Sequence, residues 1–244
     1  MKVLCVIPAR YASTRLPGKP LMDIAGKPMV VRVFERASRA KKVSETLVAT
    51  DDERILKAVE EFGGKAMLTR ADHPTGTDRL AEVAASFPDV DLIINVQGDE
   101  PLIEPDLIDE LASQFEGDEG LSMATVKTEI LDEEEQRNPN NVKVVCDKKG
   151  YALYFSRSLM PYPRDGGQGG CPVFKHIGIY AYRRDFLLEY AKMEPTPLEK
   201  TESLEQLRAL ENGYRIKVVE TKAKFVGVDT AEDLAKVNEI YRNM

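Results

Sequence analysis

Three cations, Arg10, Arg15 and Lys19, follow the first apolar run of the chain. They lie in Pro8-Ala9-Arg10-Tyr11-Ala12-Ser13-Thr14-Arg15-Leu16-Pro17-Gly18-Lys19, a span rich in small and turn-forming residues. Forked guanidinium donors, an ammonium point charge and backbone N–H groups brought close by Ser13 and Gly18 are the chemistry that holds a triphosphate. Gly18-Lys19 does not make a P-loop, because Ser13 stands where a glycine is needed and Pro20 where a hydroxyl is needed. A second apolar run leads into Gln97-Gly98-Asp99-Glu100-Pro101, which places Asp99 to offer a hard carboxylate oxygen to Mg²⁺. Spacing alone leaves a turn or helix-cap role equally open for it. Asp229, in Val226-Gly227-Val228-Asp229-Thr230, also has two readings. It is a second metal ligand, or it shares with Thr230 the capping of a last helix whose first turn holds Glu232 and Asp233.

Arg70, His73 and Arg79 sit in a polar loop that closes on a helix start, where anions are favoured, so this loop suits a base, a ribose or a carboxylate. His176 stands beside Lys175 just before a strand, a setting where a histidine is commonly structural. Cys5, Cys146 and Cys171 share no metal-like spacing and leave an odd count, so neither a zinc site nor a disulfide framework is expected. The glycine-rich stretch over residues 166–170 follows no strand and is not a dinucleotide fingerprint. The acidic run over residues 132–135 reads as a solvated helix face.

The 244 residues carry Lys+Arg 34 against Asp+Glu 41, a formal net charge of −7, which argues against a nucleic-acid binder with its basic stripe. In so acidic a chain, a cluster of cations faces a particular anion. Hydrophobic residues make up 43% and charged residues 31%, as in an ordinary globular protein rather than a disordered one. No apolar run approaches the roughly 20 residues that span a bilayer, and Pro8 interrupts the first run too early for a signal peptide. No membrane insertion and a cytoplasmic location are therefore expected.

These side chains need elements to hold them. Residues 3–7 form a continuous apolar run ending in turn chemistry, the pattern of a buried parallel strand. There follow a helix over 28–40 with Pro28 in its first turn, a strand over 46–49, and a helix around Ile55, Val59 and Phe62 ended by Gly63-Gly64. A strand over 66–68, a helix over 78–86, a strand over 92–96 and a helix around Leu107, Leu111 and Phe115 come next. This order predicts a parallel, doubly wound sheet, whose ligands bind in the loops after the strand ends at Ile7, Leu68 and Val96. Beyond about residue 116, Val126, residues 142–145 and residues 151–155 read as antiparallel strands. Then come a strand over 177–182, a helix near Leu187, a helix marked by Leu204, Leu207 and Leu210, a strand over 216–219 and a closing helix through Leu234, Val237 and Tyr241. With no repeat and no Pro/Gly-rich linker, residues 1–244 are expected to form one α/β domain with a mostly parallel sheet and a mixed-strand insertion.

Residues 7–21 together resemble the signature of the 3-deoxy-manno-octulosonate (Kdo) cytidylyltransferase family. The resemblance continues through Thr69-Arg70-Ala71-Asp72-His73, Asn95-Val96-Gln97-Gly98-Asp99-Glu100-Pro101, residues 141–145 and residues 151–157. It resumes at His176-Ile177-Gly178-Ile179-Tyr180, Leu204-Glu205-Gln206-Leu207-Arg208 and Gly227-Val228-Asp229-Thr230, so it covers essentially the whole chain. It implies a glycosyltransferase-A-like three-layer α/β fold and a homodimer that makes CMP-Kdo and pyrophosphate for bacterial lipopolysaccharide and other surface polysaccharide. By similarity, Ala9, Arg10, Ser13, Arg15, Lys19, Arg70 and Gln97 would hold CTP, with Arg10, Arg15, Lys19 and Asp99 carrying the catalysis. Asp99 and Asp229 would bind the Mg²⁺ cofactor, and Arg157, His176, Tyr180, Glu205 and Gln206 would line the sugar-acid pocket.

The expected reaction is in-line attack of the sugar's anomeric hydroxyl on the α-phosphorus of CTP, with no protein nucleophile. The segment over residues 162–174 is shorter than the family's connection, and Tyr162 stands where relatives often carry Trp. That departure lies beside the implied sugar pocket and leaves the 8-amino analogue of Kdo, or another acidic sugar such as a sialic acid, as alternative substrates. A nucleotide-binding module without activity is the non-enzymatic alternative.

Overall fold

The structure, a computed structural model, describes residues 1–12, 16–164, 170–223 and 225–243. The chain divides into two compact units. One gathers Met1–Ser113, Ala181–Ala191 and Lys224–Met244, the other Gln114–Tyr180 and Lys192–Ala223. The sequence reading expects one domain whose character changes near residue 116, and the second unit begins beside that point.

The first unit opens with strand β1 (Val3–Ala9), a single 3₁₀ turn (Lys19–Leu21) and the hairpin β2 (Asp23–Ile24) and β3 (Lys27–Pro28). Helix α1 (Met29–Ala37), β4 (Glu45–Thr50), α2 (Glu53–Glu61), β5 (Ala66–Leu68), α3 (Gly76–Ser86), β6 (Leu92–Asn95) and α4 (Pro105–Ser113) follow. The second unit brings β7 (Met123–Glu129), α5 (Glu133–Arg137), β8 (Lys143–Cys146), β9 (Ala152–Ser156) and most of β10 (Phe174–Arg183). Helix α6 (Arg184–Tyr190) returns to the first unit, α7 (Pro197–Glu202), α8 (Gln206–Glu211) and β11 (Ile216–Glu220) to the second, and α9 (Ala231–Arg242) to the first.

In the first unit β1 lies between β4 and β6, and β4 is flanked by β5, all parallel. Val3, Leu4, Cys5, Val6 and Ile7 are all buried, as a strand covered on both faces requires. Burial pushes the Cys5 thiol up to about 12, so this cysteine is an inert core group. The register sets Ala9 opposite Thr50 and Val6 opposite Asn95, so the loops after β1, β4 and β6 leave the sheet along one edge. Helix α1 lays Met29, Val30, Val33 and Ala37 into the core. A second apolar cluster joins Ile24 and Met29 to Val228 and Val237, with Leu16, Leu102 and Tyr241 packed on it. That cluster fixes the approach to α9 and hence the position of Asp229.

In the second unit β7 pairs with β11, and β8 pairs with both β9 and β10. The β8 pairings are antiparallel, as expected; β7, which also borders β10, runs parallel to β11, a direction the expectation of antiparallel strands does not include. Hydrophobic pattern marks a strand's faces, whereas its direction depends on a partner ninety residues away, which local sequence does not carry. Leu204 also departs from expectation: it lies in the corner between α7 and α8, where Ser203 adopts a left-handed φ of 52°. Asp132 caps α5, and none of that helix's residues is buried, in keeping with a solvated acidic face.

Candidate active site

The loop after β1 and the loop after β6 are pressed together. A Cβ on Gly98 would stand 2.8 Å from the Pro8 carbonyl oxygen, so the contact exists only because residue 98 lacks a side chain. Gly18 turns the first loop back with a left-handed φ of 69°, and its amide donates to the Tyr11 carbonyl at 3.2 Å. Lys19 is thereby delivered to a cleft lined by Pro8, Ala9, Arg10, Pro20, Met29, Gln97, Gly98 and Asp99.

Within this cleft the Lys19 ammonium donates to Asp99 Oδ2 at 2.8 Å and to Asp229 Oδ1 at 3.1 Å. The two acids come together because the Val228 amide donates to the Asp99 carbonyl at 2.9 Å, pinning the segment before α9 onto the loop after β6. Thr230 and Asp233 form the capping box of α9, so the capping role falls to Thr230 and the Asp229 carboxylate faces Lys19. Both acids are more than a third exposed, so the pairings add little stability; what they create is a local alternation of charge. Arg10 Nη2 is buried with no hydrogen-bond partner among the described residues, a donor that an anionic oxygen would satisfy.

The donor set suits Mg²⁺, which takes one or two carboxylates and completes its shell with phosphate oxygens and water. Among the described residues no group of three or more His, Cys, Asp or Glu side chains forms a metal cage of its own, so further ligands would come from a substrate. Ala9, Arg10, Lys19, Gln97, Asp99 and Asp229 are thus brought together. Arg70 is not: its exposed guanidinium grips the Asp72 carboxylate through Nε at 2.9 Å and Nη2 at 2.8 Å. Ser13 and Arg15 lie outside the described residues.

The residues implied for the sugar acid lie in the second unit. His176, on β10, is buried, with its ring edge-on to Phe155 at 5.0 Å and tilted against Tyr180 at 5.4 Å. Its Nε2 stands 2.9 Å from Thr125 Oγ1, which is also 2.8 Å from the Ile179 carbonyl and 3.2 Å from that of Ile177. Thr125 has one hydroxyl proton for these three neighbours; when a carbonyl takes it, Nε2 donates to Thr125 and Nδ1 is left as the acceptor. Burial depresses the imidazole to about 3, so His176 is neutral at physiological pH and serves as a hydrogen-bonding group rather than a counter-charge. Burial, reinforced by the Glu205 carboxylate, pushes the Tyr180 phenol up, so it stays a protonated donor.

Gln206 opens α8, buried, and its Nε2 has no hydrogen-bond partner among the described residues. Glu205 is its cap residue. The corner that carries them is braced by Arg208 Nε donating to Glu199 Oε2 at 2.8 Å in a buried pair. Arg157 spends its guanidinium on the main-chain carbonyls of Glu202 at 2.7 Å, Pro139 at 3.0 Å and Ser203 at 3.4 Å. Its own carbonyl accepts from the buried Lys143 ammonium at 2.6 Å. Arg157 therefore ties three segments together around that corner.

Sequence reasoning passed over Asp51, Thr125, Lys143 and Glu202. Asp51 had a usable signal, since it follows a buried strand just as Asp99 does. Thr125 and Glu202 had none, because their partners His176 and Ser156 lie 51 and 46 residues away.

Comparison with known proteins bears on this arrangement. A family profile described as cytidylyltransferase matches residues 4–218. A 3-deoxy-manno-octulosonate cytidylyltransferase of Fusobacterium nucleatum subsp. nucleatum is 56% identical over 237 residues, covering 97% of this chain and 96% of that one. One from Geobacter metallireducens is 56% identical over 248 aligned positions, covering 98% and 97%. A solved CMP:2-keto-3-deoxy-manno-octonic acid synthetase complexed with CTP superimposes with a TM-score of 0.95 at 47% identity, over 100% of this chain and 99% of that one. A 4-diphosphocytidyl-2C-methyl-D-erythritol synthase from Anaerococcus prevotii has a TM-score of 0.65 at 15% identity, covering 99% and 96%, a likeness of fold alone.

Proposed function

The chain belongs to the cytidylyltransferase family, among the 3-deoxy-manno-octulosonate cytidylyltransferases, and on that premise we propose that it transfers CMP from CTP to the anomeric hydroxyl of 3-deoxy-manno-octulosonate. The observation that carries the reading is the Lys19 ammonium between Asp99 and Asp229, in the cleft that Arg10 lines with an unsatisfied donor. Cations and paired carboxylates on one strand edge are what a nucleoside triphosphate and its divalent cation require.

In the proposed reaction the anomeric oxygen forms a bond to the α-phosphorus. The bond from that phosphorus to the bridging oxygen breaks, pyrophosphate leaves, and the hydroxyl proton passes to water. Arg10 and Lys19 would bind the triphosphate and offset the charge that grows on the leaving group. Asp99 and Asp229 would hold Mg²⁺, which when bound neutralises phosphate charge and lowers the pKa of an oxygen it touches. His176 would accept through Nδ1, Tyr180 would donate through its phenol, and Gln206 would offer its unpaired amide to sugar hydroxyl and carboxylate oxygens. Arg157 would keep their loops in register.

Because CTP is an intracellular nucleotide, the proposal extends to a cytoplasmic location; the homodimer and the supply of bacterial lipopolysaccharide synthesis are what the family resemblance implies. No helix among the described residues is long and apolar enough to cross a membrane. The test is pyrophosphate release from CTP with Kdo, its 8-amino analogue and a sialic acid, each with Mg²⁺ and with a chelator. Fastest turnover is expected with Kdo and none with the chelator. CTP binding without turnover on any sugar acid would leave a binding module instead.

A further inference from the structure

Arg79 is a charged side chain with no exposure at all. It projects from α3 into the first unit, where its Nη2 lies 3.2 Å from Asp51 Oδ2 and its Nη1 donates to Thr69 Oγ1. Thr69 is in turn fixed to β4, its amide and hydroxyl both donating to the Thr50 carbonyl, at 2.8 Å and 3.0 Å. The other oxygen of Asp51 accepts from the Tyr11 amide at 3.4 Å. One guanidinium therefore connects the loops that leave β1, β4 and β5.

The Tyr11 carbonyl accepts from the Gly18 amide, so this residue holds Gly18, the neighbour of Lys19, while standing beside Arg10 in the chain. The Tyr11 ring is held from its face by the Arg54 guanidinium, 3.4 Å from its centroid. Arg54 is itself fixed by Asp52 at 2.9 Å and 2.6 Å. Consecutive acids after β4 thus grip one residue, by its amide through Asp51 and by its ring through Asp52 and Arg54.

A buried ion pair is a poor stability device, because desolvation offsets most of the attraction and apolar replacements of similar volume serve as well. Its cost is accounted for when it fixes a geometry. We propose that Asp51 and Arg79 are positioning residues for the nucleotide: through Tyr11 and Gly18 they set the neighbouring Arg10 and Lys19 toward the CTP triphosphate without touching it. The inference rests on the reading that Arg10 and Lys19 hold CTP.

The test compares Asp51→Asn, Arg79→Lys and the double variant Asp51→Ala/Arg79→Met with the parent enzyme. The readouts are melting temperature, the melting shift induced by CTP, and KM for CTP and for the sugar acid. The double variant removes the pair and its grip on Tyr11 while filling the site with apolar atoms, so its melting temperature should stay near the parent's. Its KM for CTP should rise about tenfold with the sugar KM unchanged, and the CTP-induced shift should shrink accordingly. Asp51→Asn keeps an oxygen for the Tyr11 amide and should recover part of that loss. A folded double variant with the parent's KM for CTP would overturn the proposal, and so would failure of all three variants to fold, which would make the cluster a fold determinant only. Lys19→Ala, measured alongside, separates the two readings. If it too leaves the CTP response intact, Arg10 and Lys19 do not form the nucleotide site; if it alone loses the response, only the positioning role fails.

Discussion

The Lys19 ammonium donates to Asp99 Oδ2 at 2.8 Å across a sequence separation of 80. Its second acceptor, Asp229, is 210 residues distant. A cation already stands where two carboxylates converge, so a divalent cation bound there would compete with Lys19 for the same oxygens. Lys19→Met should bind Mn²⁺ several-fold more tightly than the parent when CTP is absent, as read from the paramagnetic signal of free Mn²⁺. Unchanged or weaker Mn²⁺ binding would remove the competition.

Asp99→Asn keeps the size of the side chain and removes the charge. Turnover should fall by about 10²–10³, the scale for loss of one group that stabilises transition-state charge. The melting temperature should hold, because Asp99 is partly exposed and its pairing contributes little to stability. Near-parent pyrophosphate release from this variant would end the metal assignment.

Gly98→Ala tests the closeness of the loops after β1 and β6. The added methyl meets the Pro8 carbonyl oxygen at 2.8 Å, a backbone atom with no rotamer to adopt. The variant should lose on the order of 1–3 kcal/mol of stability, as overpacking does, and its KM for CTP should rise. Denaturant unfolding and initial rates would check both, and a variant with the parent's KM for CTP would show that the cleft tolerates a wider gap.

His176 links stability to pH. Its ordinary value is near 6.5 and burial lowers it to about 3, so between these values the unfolded chain binds a proton that the folded chain does not. The stabilisation is fully present above pH 6.5 and is lost as pH falls toward 3. Its limiting slope is about 1.4 kcal/mol per pH unit. His176→Phe should remove that slope from urea-unfolding free energies measured between pH 7 and pH 5. An equal slope in both proteins would mean that the imidazole is solvated.

The Glu199–Arg208 pair spans the corner that presents Glu205 and Gln206. Glu199→Gln leaves a buried guanidinium without its counter-charge and should cost about 3 kcal/mol, as broken buried pairs do. The KM for the sugar acid should rise more than that for CTP. Equal changes in both would place the pair in general stability alone.

Local chemistry carried much of this. The apolar run from Val3 to Ile7 specified a buried strand, Gly18 a turn, and Thr230 with Asp233 a helix start, because each depends on neighbours within a few residues. The opening loop, with Arg10, Arg15 and Lys19 in an acidic chain, raised the expectation of an anionic ligand, and an acid after a strand that of a metal. Tertiary structure decided what distance in sequence conceals. It set β7 parallel to β11, turned Arg70 outward onto Asp72, and buried Arg79 against Asp51 and Thr69. It also brought Asp229 to Asp99, because that meeting needs the Val228 amide on the Asp99 carbonyl and the apolar cluster beneath α9. Residue types announce which interactions a chain can make; only packing, which sets burial and distance, selects the ones it does make.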